Sequence, residues 1–196
     1  MNTPETTHLP LGHGRIELVL GNIVEQEADA IVNAANTKLA GGGGVDGAIH
    51  RAAGQALARE CPRLPADGRG RRCPTGEVRV TRAGKLAAQH VIHAVGPFYN
   101  PRYAEKGERQ LRQVYENALR AAAEHGCLVI AVPAISTGAY RFPLKRGAQI
   151  ALETVAEWLK EQRRPEVVRF VLLKDKVFEA FRSALKRLAT SEGRDK

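Results

Sequence analysis

Ala30-Ile31-Val32-Asn33-Ala34-Ala35-Asn36-Thr37-Lys38-Leu39-Ala40-Gly41-Gly42-Gly43-Gly44-Val45-Asp46-Gly47 joins an apolar run, two side-chain amides, four successive glycines and an acid. Residues 28–33 form a short apolar run bounded by small and polar residues, which predicts a buried strand. Glycines lose the most backbone entropy on folding, so four in a row mark a place that needs positive φ or bare backbone against a ligand. From Val45 onward Ala48, Ile49, Ala52, Ala53, Ala56 and Leu57 recur at helical spacing, so the glycines lead into a helix N-terminus. Backbone N–H groups and the helix dipole at such a junction favour an anion, a phosphate above all. A side chain at Gly43 is expected to block that approach.

Working outward, residues 16–20, 78–81, 90–95, 127–132 and 167–173 are further apolar or alternating runs with strand character, six in all with 28–33. Helical stripes lie between and after them: Leu111, Val114, Tyr115, Ala118 and Ala122, then Leu144, Ala148, Ala151, Leu152, Val155 and Leu159, then Val177, Phe178, Phe181, Leu185 and Leu188. Gly126 stops the first stripe and Pro143 opens the second. Strands alternating with helices, several apolar on both faces, predict an α/β fold. The expected architecture is a three-layer α/β/α sandwich around a central mixed sheet of six strands or slightly more. Ligands of such sheets sit beyond the carboxyl ends of the strands. There the run 127–132 is followed by Pro133-Ala134-Ile135-Ser136-Thr137-Gly138-Ala139-Tyr140, a second small-residue loop feeding a helix. Two such loops suit a diphosphate held between them.

At 196 residues the chain accommodates one domain, expected over residues 15–189, with loose ends at 1–14 and 190–196. No apolar run approaches the ~20 residues that cross a bilayer, and the first residues lack a basic start followed by an apolar stretch. No membrane partner is expected, and the cytoplasm is the expected compartment. Cys61, Cys73 and Cys127 are odd in number and widely spaced, which excludes a disulfide framework and predicts reduced thiols. Neither a metal nor a cofactor is expected, because no His, Cys and carboxylate grouping has metal-ligand spacing. A net charge of +9 favours anionic partners. Nucleic acid is a remote candidate, suggested by Arg69, Arg71 and Arg72 but weakened by an aromatic content of 5%, since stacking carries much single-strand binding.

Gly42, Gly44 and Gly47 match the spacing of a dinucleotide-binding turn, with Glu60 placed for a ribose. The context fails, because that turn follows its strand directly and here eight residues separate Asn33 from Gly42. No Lys-Ser or Lys-Thr follows the glycines, so a P-loop fails too.

The stretch Gly21-Asn22-Ile23, the run from Asp29 to Asn36, the run from Gly41 to Gly54, Thr75-Gly76-Glu77, Val91-Ile92-His93-Ala94-Val95-Gly96-Pro97 and the loop from Ile135 to Phe142 together resemble the macrodomain family, in particular the MacroD-type ADP-ribosyl hydrolases and O-acetyl-ADP-ribose deacetylases. The resemblance covers residues 16–188. It implies that Asn33 and Asn36 approach the distal ribose of ADP-ribose and that Asp46 is the acid beside it, the three forming the catalytic set. It implies that Gly42, Gly43, Gly44 and Val45 cradle one phosphate. Ser136, Thr137, Gly138 and Ala139 cradle the other, with Tyr140 covering the ribose. His50, one turn after the acid, is either catalytic or structural. Asn22, Ile23, Ala34, Ile49 and Leu173 complete the implied ligand-binding set. Two of these depart from the family pattern: Asn22 replaces a common aspartate toward adenine, and Leu173 lies near a common aromatic.

The expected function is metal-independent hydrolysis of an ester between the distal ribose and an acyl group. The partners are ADP-ribosylated proteins or O-acetyl-ADP-ribose, and the attacking water is held between Asp46, Asn36 and a diphosphate oxygen. A reader that binds ADP-ribose without turnover is the alternative.

Overall fold

The computed structural model describes residues 6–193. In chain order the strands are β1 (Thr6–Leu11), β2 (Gly14–Leu20), β3 (Ala30–Ala34), β4 (Val78–Arg82), β5 (His90–Ala94), β6 (Val129–Val132) and β7 (Val167–Leu172). The helices are α1 (Gly44–Ala53), α2 (Gln55–Glu60), α3 (Ala104–Glu124), α4 (Leu144–Glu161) and α5 (Asp175–Glu192). Among the described residues the strands make one sheet in the order β1-β2-β7-β6-β3-β5-β4. Strands β2, β7, β6, β3 and β5 are mutually parallel, and β1 and β4 close the edges antiparallel.

Alternation along the strands builds the layers. Ala30 and Val32 face α3, α4 and α5, whereas Ile31 faces α1 and α2. The three-helix side holds the larger core, with Tyr115, Phe170, Phe178 and Phe181 fully buried. Truncating one of these phenylalanines to alanine costs about 3–5 kcal/mol, the transfer energy plus the cavity left behind. On the other side Ile49, Leu57 and Leu39 pack α1, α2 and the loop before α1 onto the sheet. The expected three-layer α/β/α sandwich is the fold observed, with a seven-stranded mixed sheet.

Within the described residues the structure replaces part of each expected loose end with regular structure. Residues 6–11 form β1, paired along its whole length with β2 through a tight turn at Gly12, whose φ is +53°. Leu9 and Leu11 alternate with His8 and Pro10 and rest on the core, a period-two signal too short to stand out beside the polar residues before it. Residues 190–192 belong to α5, which runs one turn past its last apolar anchor. Residues 1–5 and 194–196 lie outside the described residues. The helix expected from Val45 to Leu57 is two helices, broken at Gly54 with φ +76°. Cys127 precedes β6 instead of lying within it. No described helix is long and apolar enough to cross a membrane.

Candidate functional site

Five parallel strands end at one edge, and the loops that leave them stand in the order of the sheet. Asn22 follows β2, Leu173 follows β7, residues 133–140 follow β6, residues 35–46 follow β3, and Gly96 to Phe98 follow β5. This order places the side chains singled out from the sequence along the carboxyl edge of the sheet, with Asn22 and Leu173 toward β2 and β7 and Asn33, Asn36 and Asp46 toward β3 and β5.

Asp46 sits in the first turn of α1 and is 5% exposed. Asn33 Nδ2 donates to its Oδ1 at 2.8 Å, and Asn36 Nδ2 donates to its Oδ2 at 3.3 Å. Asn36 Nδ2 also donates to the Gly41 carbonyl at 2.8 Å, tying the glycine loop to the same amide. His50 Nε2 stands 3.4 Å from Asp46 Oδ1, without hydrogen-bond geometry. A buried carboxylate stabilised by two amides keeps spare lone pairs for a ribose hydroxyl or a water. The three residues of the implied catalytic set are therefore in direct contact.

The glycine loop meets α1 as the sequence implies. Gly42, Gly43 and Gly44 are exposed, and among the described residues no protein acceptor takes their backbone N–H groups. Gly44 has φ +58°, which favours glycine. Gly43 is extended, at φ −99°, and a Cβ there would meet no protein atom within 4 Å, so the backbone requirement for glycine lies at Gly44. In the second loop Gly138, Ala139 and Tyr140 likewise keep their N–H groups free of protein acceptors among the described residues. Tyr115 of α3 anchors this loop from below: its hydroxyl donates to the Pro133 carbonyl at 3.3 Å and accepts from Ile135 N–H at 3.0 Å. Buried Ser136 holds φ +65°, and its Oγ has no partner. Gly96 explains the tightness there, since a Cβ on it would overlap Ser136 Oγ and Ile135 Cγ2.

The remaining implied contacts occupy different depths. Tyr140 is half-buried, its ring centroid 5.7 Å from that of Phe98, and burial together with the Asp46 charge pushes its phenol up. Ala34 is half-buried at the end of β3, whereas Ile23 and Ile49 are buried in the smaller core. Asn22 caps a short 3-10 helix (Ile23–Glu25): its Oδ1 accepts from Val24 N–H at 3.4 Å and its Nδ2 donates to Glu25 at 3.2 Å. Leu173 is 68% exposed. Arg71 pairs with Asp67 at 2.7 Å, and the Arg72 guanidinium donates to the Lys38, Gly70 and Pro62 carbonyls, so these two arginines brace the loop.

Beneath Asp46 lies a polar floor that the sequence reading missed. Asn33 and His93 are register partners on β3 and β5, and Asn33 Nδ2 lies 3.2 Å from His93 Nδ1. His93 Nε2 is 2.9 Å from Thr81 Oγ1 of β4 and 3.7 Å from Cys61 Sγ. His93 is fully buried; desolvation, with a smaller push from His50, lowers its imidazole to a pKa of about 3. Burial, then the Asp46 and Glu60 charges, raises the Cys61 thiol to about 11. The available signal was a histidine inside an otherwise apolar strand. His50, Cys61 and His93 bring ligand atoms within 4.8 Å of one another, a nitrogen and sulfur set of the kind zinc takes. The expected lack of any such grouping is corrected: the fold gathers what the sequence spaces far apart. Both ring nitrogens of His93 already face partners, so a metal ion would have to displace Thr81 or Asn33.

Residues 32–151 match the family model described as Macro domain. A macro domain-containing protein of Caldanaerobacter subterraneus is 47% identical over 174 residues, covering 89% of this chain and 97% of that protein. Among solved structures, the Oceanobacillus iheyensis macrodomain with ADP superposes at a TM-score of 0.91 with 35% identity, over 97% of this chain and 100% of that one. The Trypanosoma brucei macrodomain in complex with ADP-ribose gives 0.77 with 36% identity, over 87% and 68%.

Proposed function

The chain belongs to the macro domain family, and from that premise we propose that it binds ADP-ribose along the carboxyl edge of its sheet and hydrolyses ADP-ribosyl esters there. The observation that carries this reading is the Asp46 carboxylate, buried and stabilised by Asn33 and Asn36 beside a loop with free N–H groups at a helix N-terminus. The diphosphate lies between the glycine loop and residues 136–140, and the distal ribose lies over Asn33, Asn36 and Asp46 under Tyr140. Ile23 and Ile49 shape the cleft from below.

In the proposed reaction a water oxygen attacks the acyl carbonyl carbon and its proton passes to Asp46. The bond from that carbon to the ribose oxygen breaks, and the ribose oxygen takes the proton. The products are ADP-ribose and a free carboxylic acid, from acidic side chains of modified proteins or from acetate. A positioned base contributes roughly 10²–10⁴-fold to such a step. The step draws on no metal or cofactor.

Engagement of both Asp46 oxygens by amides also suits a reader in which the carboxylate only orients the ribose. Two measurements decide: calorimetry with ADP-ribose, and release of ADP-ribose from a substrate modified on glutamate. Heat of binding with turnover is expected. Binding without turnover leaves the reader, and no heat at millimolar ligand removes the site.

A further inference from the structure

We propose that His93 and Thr81 are positioning residues, a buried relay that sets the Asn33 amide and through it the Asp46 carboxylate. The proposal rests on the hydrolase reading for its kinetic consequence, but the arrangement can be tested in the free protein.

Asn33, His93 and Thr81 come from three adjacent strands, β3, β5 and β4, and all three are buried. Asn33 Nδ2 has two hydrogens and two neighbours, Asp46 Oδ1 at 2.8 Å and His93 Nδ1 at 3.2 Å. A carboxylate only accepts, so the amide must present its NH₂ there, because the opposite orientation would set a carbonyl oxygen against Asp46. The second hydrogen then requires a lone pair on His93 Nδ1. A neutral imidazole has one such nitrogen, which leaves the proton on Nε2, facing Thr81 Oγ1 at 2.9 Å with Cys61 Sγ behind it. A protonated His93 would offer two donors and would turn a donor onto the Asn33 NH₂. Burial, which holds the ring neutral, is thus part of the device.

The relay has a product at the other end. With Nδ2 committed to Asp46 and His93, Asn33 Oδ1 is left buried with no partner. It is an acceptor whose direction the two bonds to Nδ2 fix. Among the described residues Asp46 and His93 alone hold the Asn33 side chain, so the rotamer of this amide depends on a buried histidine as well as on the carboxylate it serves.

The test has two arms. Nitrogen-15 NMR of the free protein reads the His93 tautomer, and the Nε2–H form is expected at neutral pH. A dominant Nδ1–H form, or an imidazolium, overturns the proposal whatever the protein catalyses. In the second arm Thr81→Val removes the acceptor and Thr81→Ser retains it. Thr81→Val is expected to lower kcat for an ADP-ribosyl ester roughly tenfold, about the effect of one buried hydrogen bond left unmade, with KM changed less than twofold. Thr81→Ser should restore kcat. Equal kcat in all three proteins, or a serine variant as slow as the valine one, overturns the kinetic role. If the parent protein has no turnover, the hydrolase reading fails by itself, and the relay is then judged by the tautomer and by whether Thr81→Val alters it.

Discussion

The two ends of the carboxyl edge are built differently. At the end formed by β3 and β5, Asp46, Asn33, His93 and Thr81 are buried and joined by contacts of 2.8–3.2 Å. At the end formed by β2 and β7, Asn22 bonds only within its own turn, and Leu173 is 68% exposed. A buried polar network is costly unless every member is satisfied, so each part constrains the next. A half-buried amide bonded only to its own turn and an exposed leucine constrain little. The proposed chemistry thus sits where the fold constrains its side chains tightly, and the proposed recognition of the base sits where it constrains them loosely.

The largest expected effect is at the rigid end. Asp46→Ala should lower turnover by roughly 10²–10⁴-fold while ADP-ribose affinity, carried by the two loops, stays within about tenfold. Turnover equal to the parent would remove Asp46 from the chemistry and dissolve the contrast between the ends. Next comes acid stability. His93 is neutral in the folded protein down to a pKa of about 3, whereas its ordinary value is 6.5. Below pH 6.5 the unfolded chain takes a proton that the folded one refuses, so stability falls as pH drops from 6.5 toward 3. The groups facing it are His50 and Cys61, with Asn33 and Thr81 uncharged. A loss of about 2–3 kcal/mol between pH 6 and pH 4 is expected from this group. Urea melts of the parent and of His93→Gln measure it, and equal slopes against pH in the two proteins would show that His93 does not titrate this way.

A smaller effect separates two adjacent glycines. Gly44→Val forces a β-branched residue to φ +58° and should weaken ADP-ribose by about 1–2 kcal/mol, whereas Gly43→Val, at an extended φ, should cost less. Calorimetry ranks them, and a larger loss at Gly43 would mean that bare backbone there touches the ligand. The smallest effect belongs to the open end. Asn22 can turn its amide toward an amino or an oxo group, so inosine diphosphate ribose should bind within about tenfold of ADP-ribose. Asn22→Asp should favour the adenine form by on the order of 1 kcal/mol, because a charge-assisted bond is the stronger. A parent protein that rejects the inosine compound a hundredfold would show that the open end reads the base strictly.

Much of this was legible because the governing signals are local. The strand 30–34, the glycine run and the helix after it follow one another in the chain, so the segment that carries Asn33, Asn36 and Asp46 was legible from local pattern, while their grouping as a site came from the resemblance to macrodomains. β1 was not legible, since four alternating residues beside a polar start carry little periodic signal and only pairing with β2 makes them a strand. The polar floor was hidden for another reason. His93 lies sixty residues from Asn33, and sheet register, which no sequence period encodes, brings them together. Tyr115 was read as a core residue of its helix, which it is, while its hydroxyl also holds the second loop.

Ser136 and Gly96 form a pair whose histories cannot be independent. Ser136 holds a left-handed backbone at a cost, and its side chain fills the space a Cβ at position 96 would need. Gly96→Ala should therefore be harmful while serine remains, and Ser136→Gly should lift only part of that harm, because Ile135 Cγ2 also stands in the space and neighbours that share a cavity do not add. Ser136→Gly, taken alone, relieves the backbone and discards the hydroxyl. Drift at either position is gated by the other, so the order of the two substitutions decides whether the second is accessible, and in related chains the two positions should covary.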